Sequence, residues 1–354
     1  MIAYLLKFGF FCALLLHFSG SKSHGNSYLW EIEGNPPSYL FGTMHVPYNL
    51  LLDAIPENTW QAFNKTQSLY LETNFDAENY WAMKTCQQIP NNQTVSDILP
   101  RDTYLTLLSS MEYVHAKFEE LLTSSQKNQG LTADKLFKLY FDGWETRQPI
   151  WTFITLVHFT KANIRSIEYP DLDSYLRYLG RTFGKFVGGI ETVNDRCALF
   201  SNIKESYVLH LLDRSLVRIE NKFLEDEDDY IQQYRDGTLL GGLLIPDNGM
   251  SLKLPRIKRS YGSNSIKTGD LYGYRMAIEV NHYLHQQIVF RRNKIMSQRI
   301  MDLIRRDANT SFFFAFGTGH FIGDNSVVDM LQQKGVNITR VPWDKVIPVS
   351  KAEV

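Results

Sequence analysis

Two histidines offer the first sign of chemistry. His45 closes Gly42-Thr43-Met44-His45, and His320 closes Gly317-Thr318-Gly319-His320. Each stands just past a short apolar run, Tyr39-Leu40-Phe41 in one case and Phe312-Phe313-Phe314-Ala315-Phe316 in the other. A neutral imidazole is the commonest protein metal ligand. Glycine before it allows φ > 0 or a close backbone approach where the chain leaves a strand. Two imidazoles do not make a site; carboxylates must complete it and leave a position open for water. The carboxylates at strand ends are Glu72 and Glu191. The candidate metal ligands are therefore His45, His320, Glu72 and Glu191. A carboxylate not spent as a ligand, Glu72 or Glu191, could serve as general base, and Arg292 could neutralise an oxyanion. Imidazole with carboxylate suits Mn, Co, Fe or Zn, and spacing does not choose among them. The chain has no His-Glu-x-x-His, so the common zinc-protease helix is absent.

The elements that must position these groups follow from pattern. Leu29 to Glu33 alternates in part, meets the turn Gly34-Asn35-Pro36-Pro37, and pairs with the run ending at Gly42 as a hairpin. A helix is predicted over 57–64 and a strand over 68–74, whose end carries Glu72. Residues 76–165 read as mainly helical, with a polar break at 121–131. Asp171 or Asp173 caps a helix running to about Gly180. A third strand, 186–190, precedes Glu191-Thr192, and helical periodicity covers 192–235. The stretch 236–269, with Gly237, Gly241, Gly242, Pro246, Gly249, Pro255, Gly262 and Gly269, is a loop. Within it, Arg256-Ile257-Lys258-Arg259-Ser260 looks like a proprotein-convertase site. A long helix spans 271–306, then strand 311–316, helix 323–334 and strand 336–341. Parallel strands commonly deliver functional groups at their carboxyl ends, so His45 and His320 are expected to converge there.

Composition narrows the class. With 354 residues, 44% of them hydrophobic, the chain can bury a large core. A formal net charge of -1 gives no basic excess for nucleic acid. Residues 1–23 read as a signal peptide, with Lys7 before an apolar core and cleavage within 19–25; that core is shorter than the ~20 residues a bilayer span needs. The remainder, 24–354, is read as one domain. Cys12 leaves with the signal, so Cys86 and Cys197 remain as an even pair and are expected to form a disulfide in an oxidising compartment. Sequons at Asn64, Asn92, Asn309 and Asn337 agree with export to the extracellular space or cell surface.

The motifs together resemble a family. Gly42-Thr43-Met44-His45-Val46-Pro47-Tyr48, Gly189-Ile190-Glu191-Thr192, Arg291-Arg292-Asn293-Lys294-Ile295-Met296 and Phe312 through Phe321 are similar to the Tiki metalloproteases of the TraB group. Leu29-Trp30, Pro36-Pro37-Ser38-Tyr39 and Asp97-Ile98-Leu99-Pro100-Arg101-Asp102 share the likeness, which runs from about residue 28 to 341. The resemblance implies an α/β fold of the TraB/ChaN/erythromycin-esterase-like kind: a central mixed β-sheet with flanking helices and a helical insertion. It implies a secreted or membrane-associated metal-dependent protease using Mn or Co. Such a protease removes amino-terminal residues from Wnt proteins and so damps Wnt signalling. The family's two Gly-x-x-His motifs fall on His45 and His320, and an acidic position falls on Glu72. Tiki proteins generally carry a carboxyl-terminal membrane span; the stretch after Pro342, with Asp344, Lys345, Lys351 and Glu353, is not one. Two other classes share the fold group: a metal-independent, esterase-like hydrolase, and a non-catalytic metal- or haem-binding protein. Oligomeric state is not legible in the sequence.

Overall fold

The computed structural model describes residues 27–74, 76–157, 169–220, 228–239 and 268–348. The signal peptide, the basic stretch Arg256 to Ser260 and most of the 236–269 loop lie outside the described residues.

Six strands form one mixed sheet: β1 (Leu29–Ile32), β2 (Ser38–Thr43), β3 (Ser68–Thr73), β4 (Phe186–Glu191), β5 (Phe312–Gly317) and β6 (Ile338–Arg340). Their order is β4-β3-β5-β2-β1-β6. The first four in that order run parallel, and β1 is antiparallel to both β2 and β6. This is the mixed α/β architecture expected. β5 lies at its centre, and all six of its residues are buried. A strand covered on both faces reads as a continuous apolar run rather than an alternating one, which is why Phe312 to Phe316 shows no period. Phe313 alone, fully buried against Phe41 and Phe63, contributes roughly 1.5–3 kcal/mol relative to exposure.

The parallel register sets the site. Thr43 pairs with Gly317, Leu71 with Ala315 and Thr73 with Glu191. Four carboxyl ends therefore reach one edge of the sheet at nearly the same level. Both glycines of the repeated motif lie inside their strands, and neither has positive φ. Close approach explains them instead. A Cβ on Gly42 would stand 2.8 Å from Thr318 Oγ1, and one on Gly317 would stand 3.1 Å from Glu72 Oε1.

Between β3 and β4 the chain makes a helical layer with its own apolar core, including Leu107, Met111, Val114, Phe118 and Phe141, against the Glu205–Glu220 helix. The predicted break at 121–131 holds a short helix, Ser124–Asn128, started by a Thr123–Gln126 capping box. The predicted continuous helix over 192–235 is interrupted. Val193–Cys197 is a separate turn of helix, and Glu205–Glu220 and Asp228–Arg235 follow. A capping box at Thr192–Asp195 starts that first piece, and a disulfide holds its last residue. The long helix begins at Thr268 and runs to Arg306, with a π-turn at His285–Phe290 directly before Arg291; π-turns occur often at functional sites.

Candidate active site

Each sheet end contributes one group. β2 leads to His45, β3 carries Glu72 as its penultimate residue, β4 ends on Glu191, and β5 leads into the turn Thr318–His320. Nε2 of His45 and Nε2 of His320 each lie 3.6 Å from the same atom, Glu72 Oε1. That oxygen also accepts from the Gly317 N–H at 2.8 Å.

The far side of each imidazole is fixed. His45 Nδ1 donates to Asp173 Oδ2 at 2.9 Å, and Thr43 Oγ1 donates to Asp173 Oδ1 at 3.0 Å. His320 Nδ1 donates to Asn293 Oδ1 at 2.6 Å, while Asn293 Nδ2 donates to the Asn325 carbonyl at 2.9 Å. With Nδ1 turned to its oxygen partner in each ring, Nε2 is the atom that faces Glu72. An oxygen acceptor behind a histidine is the arrangement that orients metal-ligating imidazoles.

Glu72 is ionised. Burial opposes its charge, but the Arg292 guanidinium and the two histidines together outweigh that and hold the carboxyl well below the usual range. Arg292 Nη2 donates to Glu72 Oε2, and Arg292 Nε and Nη2 donate to Glu191 Oε1 and Oε2 at 2.8 and 2.7 Å. Arg196 Nη1 stands 3.5 Å from one oxygen of each carboxylate. His320 is 2% exposed, and burial, aided by Arg292, lowers its pKa to about 3, so it is neutral. Burial also disfavours charge on His45, yet Asp173 and Glu72 together raise its pKa well above the ordinary value. A cation would have to compete with that proton.

The predicted set thus divides. His45, His320 and Glu72 meet at one point. Glu191 is placed with the arginines rather than with the histidines, and Arg292 is occupied by both carboxylates. The donors fit a divalent ion in kind, two imidazole Nε2 atoms and a carboxylate oxygen. Among the described residues, no group of three or more His, Cys, Asp or Glu side chains is already arranged to hold one. Sequence reading missed three residues. Asp173, taken as a possible cap, faces His45, while Asp171 caps the Leu172–Thr182 helix by accepting from Ser174 N. Asn293 lay in a quoted motif with no role assigned, and Arg196 carried no local signal. Cys86 and Cys197 are bonded to each other. Asn64, Asn92, Asn309 and Asn337 are all exposed. No helix among the described residues is long and apolar enough to cross a membrane.

A six-stranded mixed sheet flanked by helices is an α/β fold consistent with the TraB type. The chain belongs to the TraB/PrgY/gumN family, whose profile matches residues 28–340. It is 33% identical to Metalloprotease TIKI2 of Xenopus tropicalis over 338 residues, 94% of this chain and 63% of that protein. It is 31% identical to Metalloprotease TIKI1 of Homo sapiens over 344 residues, 94% of this chain and 65% of that protein. The chain therefore spans less than two thirds of the length of these relatives. No solved structure matches it.

Proposed function

We propose that this chain is a secreted or cell-surface metal-dependent peptidase. In this reading it uses manganese or cobalt and trims the amino-terminal region of Wnt-type secreted proteins, lowering Wnt signalling. The observation that carries the catalytic part is the meeting of His45 Nε2 and His320 Nε2 on Glu72 Oε1. The relatives' printed name, metalloprotease, supports the same class. The metal and the Wnt substrate rest on the motif resemblance described above. The exposed sequons and the bonded cysteine pair accord with export.

His45 and His320 would hold the ion, with Glu72 as the adjoining oxygen donor. The chemistry the ion supplies when bound is acidification of a water and polarisation of a carbonyl. The chain's own residues do the rest. Asp173 and Asn293 keep the two Nε2 atoms aimed inward. Arg292 keeps Glu72 ionised, so that Glu72 Oε1 can act as a ligand or accept a proton from the attacking water. Glu191 neutralises Arg292 and holds it in place.

The test is incubation of the purified secreted protein with Wnt, with and without Mn or Co, and mass spectrometry of the substrate's amino terminus. Shortened substrate that depends on added metal is expected. His45→Ala and His320→Ala should abolish it while secretion continues, and full activity in both variants would sink the site. The His45–Asp173 pair favours one second reading, a metal-independent, esterase-like hydrolase that uses His45 and Glu72 directly. Turnover that survives chelation would select it.

A further inference from the structure

The site holds two arginines in different situations. Arg292 is 6% exposed, and its Nε and Nη2 are spent on Glu191 and Glu72, with Nη1 turned to the Ile288 carbonyl. Arg196 is 25% exposed. Its Nη1 is 3.5 Å from Glu72 Oε2 and from Glu191 Oε2, longer than the ~2.7–2.9 Å of a good charge-assisted bond. Its Nε is buried with no hydrogen-bond partner among the described residues. A buried donor left unmade costs roughly 1–3 kcal/mol, so such a group in a native site calls for a partner.

Exposure separates the same residues. Glu72, Glu191, His320 and Arg292 have side chains no more than 10% exposed, whereas His45 is 51% exposed and Arg196 25%. Solvent, and hence a substrate, reaches the site past His45 and Arg196. They flank one carboxylate: His45 beside Glu72 Oε1, Arg196 beside Glu72 Oε2.

We propose that Arg196 is the catalytic cation that touches the substrate, donating to the carbonyl oxygen of the bond being cut, while Arg292 only holds the two carboxylates. This rests on the hydrolase reading above and adds to it a residue that the sequence did not single out. In hydrolysis the water oxygen bonds to the carbonyl carbon, and its proton passes to the base. Negative charge collects on the carbonyl oxygen, and the C–N bond breaks as the departing amine takes a proton. A guanidinium has donors only and keeps its proton, so Arg196 acts by stabilising that oxygen, an effect worth most when the donor is held in place beforehand. The Val193–Cys197 helix provides such a mount. It is capped at Thr192 by Asp195, tied through Asp195 to Arg299, and bonded at Cys197 to Cys86.

The experiment compares the full secreted chain with Arg196→Ala and Arg196→Lys in metal-supplemented peptide hydrolysis, with thermal unfolding in parallel. Arg196→Ala is expected to lower kcat by ~10²–10³ with a smaller change in KM, to keep its unfolding temperature, and to regain activity when millimolar guanidinium is added. An arginine-selective dicarbonyl reagent, mapped by mass spectrometry on the folded protein, should label Arg196 ahead of Arg292. Undiminished kcat in Arg196→Ala beside an active unmodified protein overturns the assignment and leaves the hydrolase reading intact. Loss of activity with a lowered unfolding temperature and no rescue also overturns it, as that marks a structural role. An unmodified protein inactive with Mn, Co or Zn removes the hydrolase reading, and this inference falls with it.

Discussion

The hydroxyl of Thr318 donates to the main-chain oxygen of Thr43 over 2.7 Å, across a sequence separation of 275 residues. The second residue of one Gly-Thr-x-His motif is thereby hydrogen-bonded to the second residue of the other. The contact requires the two strands to pair in parallel with Thr43 opposite Gly317. It also explains why position 42 has no side chain, since a Cβ there would lie 2.8 Å from that same hydroxyl. The motif repeat is thus a repeat in space, and it sets the two imidazoles on one carboxylate.

Gly317→Ala should damage the site more than the fold. The added methyl would press on Glu72 Oε1 at 3.1 Å and lie 3.4 Å from His45 Nε2. Overpacking of this kind costs about 1–3 kcal/mol, within what the large core around β5 can absorb. Peptide turnover should fall far more than the unfolding temperature. Gly273→Ala is the control: it lies in the Thr268–Leu284 helix with open space around it, and alanine there should be neutral or stabilising by up to ~1 kcal/mol. Equal effects of the two variants on turnover would contradict the close-approach argument.

Arg292→Met removes the shared partner of two buried carboxylates. Breaking a buried pair from one side typically costs ~3–5 kcal/mol, because a charge is left uncompensated. Urea unfolding of the metal-free chain should register a loss of that order. A variant within ~1 kcal/mol of the unmodified chain, the range of an ordinary exposed ion pair, would show that Arg292 is not the group holding Glu72 and Glu191.

Asp173→Asn keeps the shape behind His45 but removes the carboxylate. Partners of this kind typically change metal affinity by ~10–100-fold when mutated, and calorimetric titration with Mn or Co should show a drop in that range. Thermal unfolding of the same variant checks that the Leu172–Thr182 helix still docks. Unaltered affinity would mean that Asp173 serves only Thr43 and the helix start.

The acid limb of stability should report Asp195. Burial alone would raise its pKa, but hydrogen bonds from Arg299 and Thr192 outweigh burial and set it below the ordinary value of 3.8. A carboxyl whose folded pKa is depressed stabilises the fold above its unfolded pKa, and that contribution is lost as pH falls through the folded value. Asp195→Asn should therefore be less stable at neutral pH and lose less on acidification below pH ~4. Parallel stability curves for the two chains across that window would refute this.

Much of the site was legible in the sequence because its members announce themselves locally. His45 and His320 each follow an apolar run and a glycine, and Glu72 and Glu191 each stand at a strand end. Hydrophobic period and turn residues also sufficed for the strand and helix inventory. Their failures were local: the Val193–Cys197 helix, started by a capping box and bonded at Cys197 to Cys86, stops where periodicity ran on.

What only the tertiary structure decided is who faces whom. Strand order and register place β5 between β3 and β2, and no periodicity within a strand encodes which neighbour it takes. Asp173 and Asn293 acquire their roles by contact with histidines 128 and 27 residues away, and Arg292 by reaching carboxylates 220 and 101 residues away. Pairwise electrostatics and hydrogen bonds act over a few ångströms, so they exist only once long-range packing has brought the partners together. The sequence supplied the chemical types; the packing of a single sheet edge determined which of them meet.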